Sequence, residues 1–136
     1  MSDCLFCRIA EGKIPAAVLA ADEHVVSFLD IRPVNPGHAL VVPRRHADDL
    51  MGLTEGEMLA AMAMVRRVAS AVVQATGSAG FHVLQNNGEA AGQVVRHAHF
   101  HVIPRRPGDG FDPGWRQIEP EAGQLEALQE AIRRLL

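Results

Sequence analysis

Phe81-His82-Val83-Leu84-Gln85-Asn86-Asn87-Gly88-Glu89-Ala90-Ala91-Gly92-Gln93-Val94-Val95-Arg96-His97-Ala98-His99-Phe100-His101-Val102-Ile103-Pro104-Arg105 reads as two strands, Phe81 to Asn86 and Val94 to Ile103. Gly88 and Gly92 bracket the turn between them. His24 to Leu29 and His38 to Val42 repeat the pattern around the loop Asp30-Ile31-Arg32-Pro33-Val34-Asn35-Pro36-Gly37, forced by two prolines and a glycine. Few strands are separated by a helix, so hairpins dominate. The predicted fold is α+β: a mainly antiparallel sheet of about five strands, one main helix packed on it, and short helices near both termini.

Thr54 opens the main helix, and Glu57 three residues later completes a capping box. Met58, Met62, Val65, Ala69 and Val72 recur at helical spacing, with Leu59, Val68 and Val73 broadening the stripe. Gly77 sits where a C-terminal glycine cap is wanted. Cys4 to Glu11 reads as a short helix stopped by Gly12 and Ile14-Pro15. A last amphipathic helix, about 121–135, carries Leu125, Leu128, Ile132 and Leu135.

The 136 residues are read as one domain, with no repeat and no linker before about residue 105. A net charge of −3, with basic residues in pairs such as Arg44/Arg45 and Arg66/Arg67, argues against a nucleic-acid partner. The N-terminus lacks a signal peptide's basic start and apolar run. The richest apolar stretch, Met58 to Val73, is interrupted by Arg66 and Arg67 and falls short of a membrane span. The expectation is a soluble, cytoplasmic protein with no membrane partner, in which Cys4 and Cys7 are ligands or free thiols.

Alternation along a strand puts His97, His99 and His101 on one face and turns Ala98, Phe100 and Val102 to the core. Three imidazoles along ~13 Å of strand suit an extended anion such as a phosphate chain. The triplet alone allows a solvated face, a metal site or nucleophilic catalysis. The preceding turn favours the last, because Gly92-Gln93-Val94 can aim backbone N–H groups at phosphate oxygens.

The run Asn86 to Arg105 strongly resembles the histidine-triad (HIT) nucleotide-binding family. With Phe28-Leu29-Asp30-Ile31-Arg32-Pro33 and His38-Ala39-Leu40-Val41-Val42-Pro43-Arg44-Arg45-His46, the likeness extends over roughly Cys4 to Phe111. It implies a hydrolase or transferase acting at the α-phosphorus of purine nucleoside phosphoramidates or dinucleoside polyphosphates. The catalytic set would be His97, His99 and His101, with His99 forming a covalent nucleotidyl-imidazole and a backbone carbonyl orienting its ring. Phe28 and Ile31 would contact the base and Asp30 the ribose hydroxyls. His101 and Gln93 would hold phosphate oxygens, Asn86 the phosphate or leaving group, and Gly92 and Val94 the backbone cradle. His38 would position or protonate the leaving group. One departure stands out: many relatives carry Ser or Thr where this chain has Val94, so a hydroxyl near the leaving group is missing.

By the same resemblance Cys4, Cys7, His46 and His97 form a structural zinc site, which would make His97 structural, and no catalytic metal is expected. His24 and His82 read as ordinary strand residues. The resemblance further implies a homodimer through the main helix and an edge strand, and the breadth of the helix's apolar surface agrees. Two other functions compete: a nucleotide-binding regulatory protein with little turnover, and a metalloenzyme built on the His triplet.

Overall fold

The computed structural model describes residues 3–136. Five strands, β1 (Val18–Ala21), β2 (Val25–Leu29), β3 (Ala39–Pro43), β4 (Gly80–Leu84) and β5 (Phe100–Arg105), form one sheet. Their order is β1-β2-β3-β5-β4, and every neighbouring pair is antiparallel. The α+β architecture is therefore as the hairpin pattern predicts. Helix α1 (Leu5–Ala10) lies near the N-terminus, α2 (Glu55–Thr76) covers one face of the sheet, and α3 (Gln124–Arg133) ends the chain.

The capping box forms: Glu57 N–H donates to Thr54 Oγ1 at 3.2 Å, and Thr54 N–H to Glu57 Oε2 at 2.8 Å. Gly77 closes α2 in the left-handed region at φ 63°. The inner face of α2 is Ala61, Met64, Val65, Val68, Ala69 and Val72. The expected stripe therefore holds at Met58 and from Val65 onward, and fails at Leu59 and Met62. Leu59 and Met62 are exposed, while Ala61 and Met64 meet the sheet. Among the described residues α2 is also the one helix long and apolar enough to cross a bilayer; here that apolar face closes the core with Val25, Val41, Phe100 and Val102.

Three further differences have physical causes. The alanine-rich β1 lacks a strand signature and pairs with the sheet on one side only, through β2. The strand expected from Val94 begins only at Phe100, because His97 N–H turns back to Val95 O (2.9 Å) and Ala98 N–H reaches Ala47 O (2.7 Å). Helix α3 forms with no buried residue, so Leu125, Leu128 and Ile132 point away from the core.

Candidate active site and metal centre

The bend before β5 separates the three histidines. Ala98, Phe100 and Val102 enter the core as strand alternation requires, and the histidine rings lie on the other side with different neighbours. His97 is fully buried, and its Nε2 lies 2.7 Å from Pro43 O. A carbonyl oxygen only accepts, so Nε2 carries the proton and Nδ1 keeps its lone pair. That lone pair faces Cys4 Sγ at 3.3 Å and Cys7 Sγ at 3.5 Å. His46 repeats the arrangement, with Nε2 against Asp48 Oδ1 at 3.0 Å and Nδ1 3.5 Å from Cys7 Sγ.

Cys4, Cys7, His46 and His97 thus converge with their four donor atoms all within 4.8 Å of one another. Cys4 is the N-cap of α1, and its Sγ accepts the Cys7 N–H. Burial, then the neighbouring Cys4, pushes the Cys7 thiol above its ordinary pKa, so two thiolates here call for a compensating cation. Two sulfurs and two imidazoles, each ring held by an outer acceptor, are a donor set that fits zinc. The His97 ring does not reach the cleft described next. Of the three histidines expected to act together, His97 meets His99 through its backbone carbonyl and turns its ring to the cysteines.

That carbonyl accepts from His99 Nδ1 at 2.6 Å. The His99 proton is therefore fixed on Nδ1, and Nε2 is left with a lone pair. Burial lowers the His99 pKa, against the His97 carbonyl and Asp30, which favours the neutral, nucleophilic ring. His101 lies opposite Leu40 of β3, which brings it to His38. Val34 N–H donates to His38 Nδ1 (3.0 Å), so His38 carries its proton on Nε2, 2.9 Å from His101 Nδ1. The polarity runs one way, from Val34 through His38 to His101, and leaves the His101 proton on Nε2. Burial, with smaller contributions from His99 and His38, pushes the His101 pKa down to about 4. Asp30, His38 and His101 also converge, with Asp30 Oδ2 3.6 Å from His38 Nε2. A proton directed by Val34 already occupies the His38 nitrogen that a metal would need. A single metal bound by His97, His99 and His101 is likewise not what these directions build.

His99 and His101 open on a cleft of about 570 Å³. Of the predicted nucleotide residues, Phe28, Asp30 and Ile31 line one part, and Asn86, Gly92 and Val94 another. Phe28 is buried, whereas Ile31 and Val94 stand 90% and 91% exposed at its rim. Asp30 also caps its own loop, Oδ1 accepting Arg32 N–H at 2.8 Å. His38 sits behind His101, outside the lining. Gln93 departs from expectation: its Oε1 accepts Gly88 N–H (2.8 Å), and its Nε2 donates to Asp48 O (2.5 Å) and Val95 O (3.0 Å). Its amide pins the turn instead of facing the cleft. Gly92 takes φ 84°, which a side chain would oppose.

Sequence reasoning missed the N-terminal wall. Leu5, Phe6 and Ile9 line the cleft from α1. The signal was their apolar spacing between and after the cysteines. Asp48, bonded to His46 and Arg96, was also missed. His82 contacts Arg105 (2.9 Å) and lies outside the cleft lining.

The chain matches the HIT domain family over residues 11–108, and it belongs to that family. It is 38% identical to the adenosine 5'-monophosphoramidase hnt1 of Schizosaccharomyces pombe, over 95% of each chain. Among solved structures, that of SMU.412c from Streptococcus mutans UA159 is 40% identical, covers 98% of this chain and 85% of that one, and superposes with a TM-score of 0.94. A zinc-bound histidine triad family protein from Mycobacterium smegmatis is 34% identical over 98% of this chain and 96% of that one, with a TM-score of 0.77.

Proposed function

We propose that this chain is a nucleotide-binding hydrolase or transferase that attacks the α-phosphorus of purine nucleoside phosphoramidates or dinucleoside polyphosphates through His99. The observation that carries the reading is the 2.6 Å bond from His99 Nδ1 to His97 O, which leaves Nε2 as a lone pair beside the cleft. The activity named for the S. pombe relative agrees with a phosphoramidate substrate.

Nε2 attacks phosphorus, a P–N bond forms, and the bond to the leaving group breaks with its electron pair going to that group, which when it is an amine takes a proton from solvent. The ring becomes cationic, and the His97 carbonyl on Nδ1–H stabilises that charge. His101 Nε2–H donates to a phosphate oxygen, with the Asn86 amide and the Val94 N–H beside it. Water then attacks the same phosphorus, the P–N electron pair returns to Nε2, and the proton from water passes to solvent. Phe28 and Ile31 hold the base, and Asp30 accepts from the ribose hydroxyls. A turnover screen of adenosine and guanosine phosphoramidates beside dinucleoside tri- and tetraphosphates tests this. Binding without turnover of any of them would support the regulatory alternative instead.

Cys4, Cys7, His46 and His97 would hold zinc. It would supply a structural cross-link between the N-terminal arm, the exit of β3 and the bend before β5. The reducing cytoplasm keeps both thiols available as ligands. We assign a homodimer to the outer face of α2 and to the edge strand β4. Leu59 and Met62 are exposed on the one, Phe81 and Val83 on the other. Light scattering should return about twice 14.7 kDa, and a mass near the single-chain value rejects the dimer.

A further inference from the structure

Helix α1 has two working sides. Cys4 at its cap and Cys7 within it supply half of the metal donor set, while Leu5, Phe6 and Ile9 form a wall of the cleft. Phe6 joins the two. Its ring is 5.0 Å from the His99 ring at 86°, 5.6 Å from Phe28 and 6.1 Å from His97. It is buried with Phe28 and Leu40 in the small cluster on the sheet face opposite α2. A six-residue helix has too few internal hydrogen bonds to persist unsupported. Beyond the ring packing, α1 is held at its C-terminus by Arg44 Nη1 donating to Ala10 O at 2.6 Å. At its N-terminus the sulfurs meet the imidazoles of His46 and His97.

We infer that Phe6 is a positioning residue through which the Cys4/Cys7/His46/His97 centre sets nucleotide affinity, so that a bound metal and a bound nucleotide strengthen each other. This rests on the nucleotide site proposed above. A metal on the two sulfurs fixes α1, and α1 presses Phe6 against Phe28 on the base side and against His99 on the phosphate side. Without the metal, nucleotide binding must itself order the arm, and affinity falls by the cost of that ordering. Linkage makes the effect reciprocal: the factor by which zinc tightens nucleotide binding is the factor by which nucleotide tightens zinc binding. A zinc that served stability alone would leave both affinities untouched in the folded protein.

The experiment measures AMP affinity by calorimetry on zinc-loaded and chelator-treated full-length protein. It also measures zinc affinity by chelator competition with and without saturating AMP. Circular dichroism checks that the metal-free chain is folded, and the second arm needs no isolated metal-free protein. Both factors should agree and reach about five-fold or more, the lower end of ordinary coupling. In Phe6→Leu, which keeps apolar bulk but removes the ring contacts, both should collapse toward one. Wild-type factors within two-fold of one, or no zinc bound at all, overturn the coupling. A full factor in Phe6→Leu overturns the Phe6 route. If AMP fails to bind even the zinc-loaded protein, the nucleotide site itself is wrong and the coupling goes with it.

Discussion

His97 and His99 are two residues apart, both buried, and bonded to each other through a backbone carbonyl, yet their rings are set for different work. His97 holds its proton on Nε2 against Pro43 O and turns Nδ1 to two cysteine sulfurs. His99 holds its proton on Nδ1 against His97 O and keeps Nε2 for the cleft. The chemistry of an imidazole is decided by which nitrogen its neighbours leave unprotonated. Here two carbonyls make opposite choices, one leaving a lone pair toward two sulfurs and the other leaving one toward the cleft.

The contrast predicts opposite consequences for substitution on its two sides. His99→Ala should lower turnover by roughly 10³-fold or more, as loss of a nucleophile commonly does, while AMP still binds with near wild-type affinity in calorimetry. Turnover within a few-fold of wild type would remove His99 from the chemistry. Cys7→Ser, or removal of zinc, should act mainly on stability. The expected drop in melting temperature is about 10 °C or more, since structural metal binding is worth several kcal/mol and each shifts Tm by a few degrees. Saturated turnover at a permissive temperature should survive. A folded, metal-free protein with no turnover at saturating substrate would reverse the assignment of the two regions.

Both roles follow from the likeness of the sequence to its family, but the backbone geometry that separates the two rings was not legible. Alternation correctly sent Ala98, Phe100 and Val102 to the core, and the family resemblance, not the Cys4-x-x-Cys7 spacing alone, named the four residues Cys4, Cys7, His46 and His97 that converge. The bend at Val95–His97 was hidden, because Val94-Val95 reads as strand and only the hydrogen bonds to Val95 O and Ala47 O break it. Gln93 was misplaced for a similar reason. An amide beside a glycine looks the same whether it faces a ligand or its own loop. The helix phase was partly lost at Leu59 and Met62, where Ala61 and Met64 are the residues the sheet contacts. Strand β1 was missed because alanine carries no strand signal.

Smaller effects sharpen the comparison inside the cleft. Asp30→Asn should weaken AMP binding by about 1.5–3 kcal/mol, the worth of one or two charge-assisted hydrogen bonds, with little change in turnover at saturation. Equal AMP affinity would move the ribose site elsewhere. Acid should also destabilise the protein. His38 and His101 are both held neutral by burial, with the folded His101 pKa near 4 against an ordinary value near 6.5. As pH falls below about 6.5 the unfolded chain takes up protons that the folded rings refuse, so stability declines toward pH 4. Above that range the two rings contribute no slope. Urea midpoints at pH 7 and pH 5 read this, and His101→Asn should reduce the difference, leaving the smaller contributions of His38 and His99.

The central claim is that His99 Nε2 bonds to phosphorus. Rapid acid-free quenching of the enzyme during turnover of an adenosine phosphoramidate, followed by digestion and mass spectrometry, reads it directly. The account predicts an added adenylyl mass on the peptide containing His99, lost on incubation with water and absent from His99→Ala. Steady turnover with that peptide unmodified at every time point, or with the adenylyl group on another residue, would contradict it.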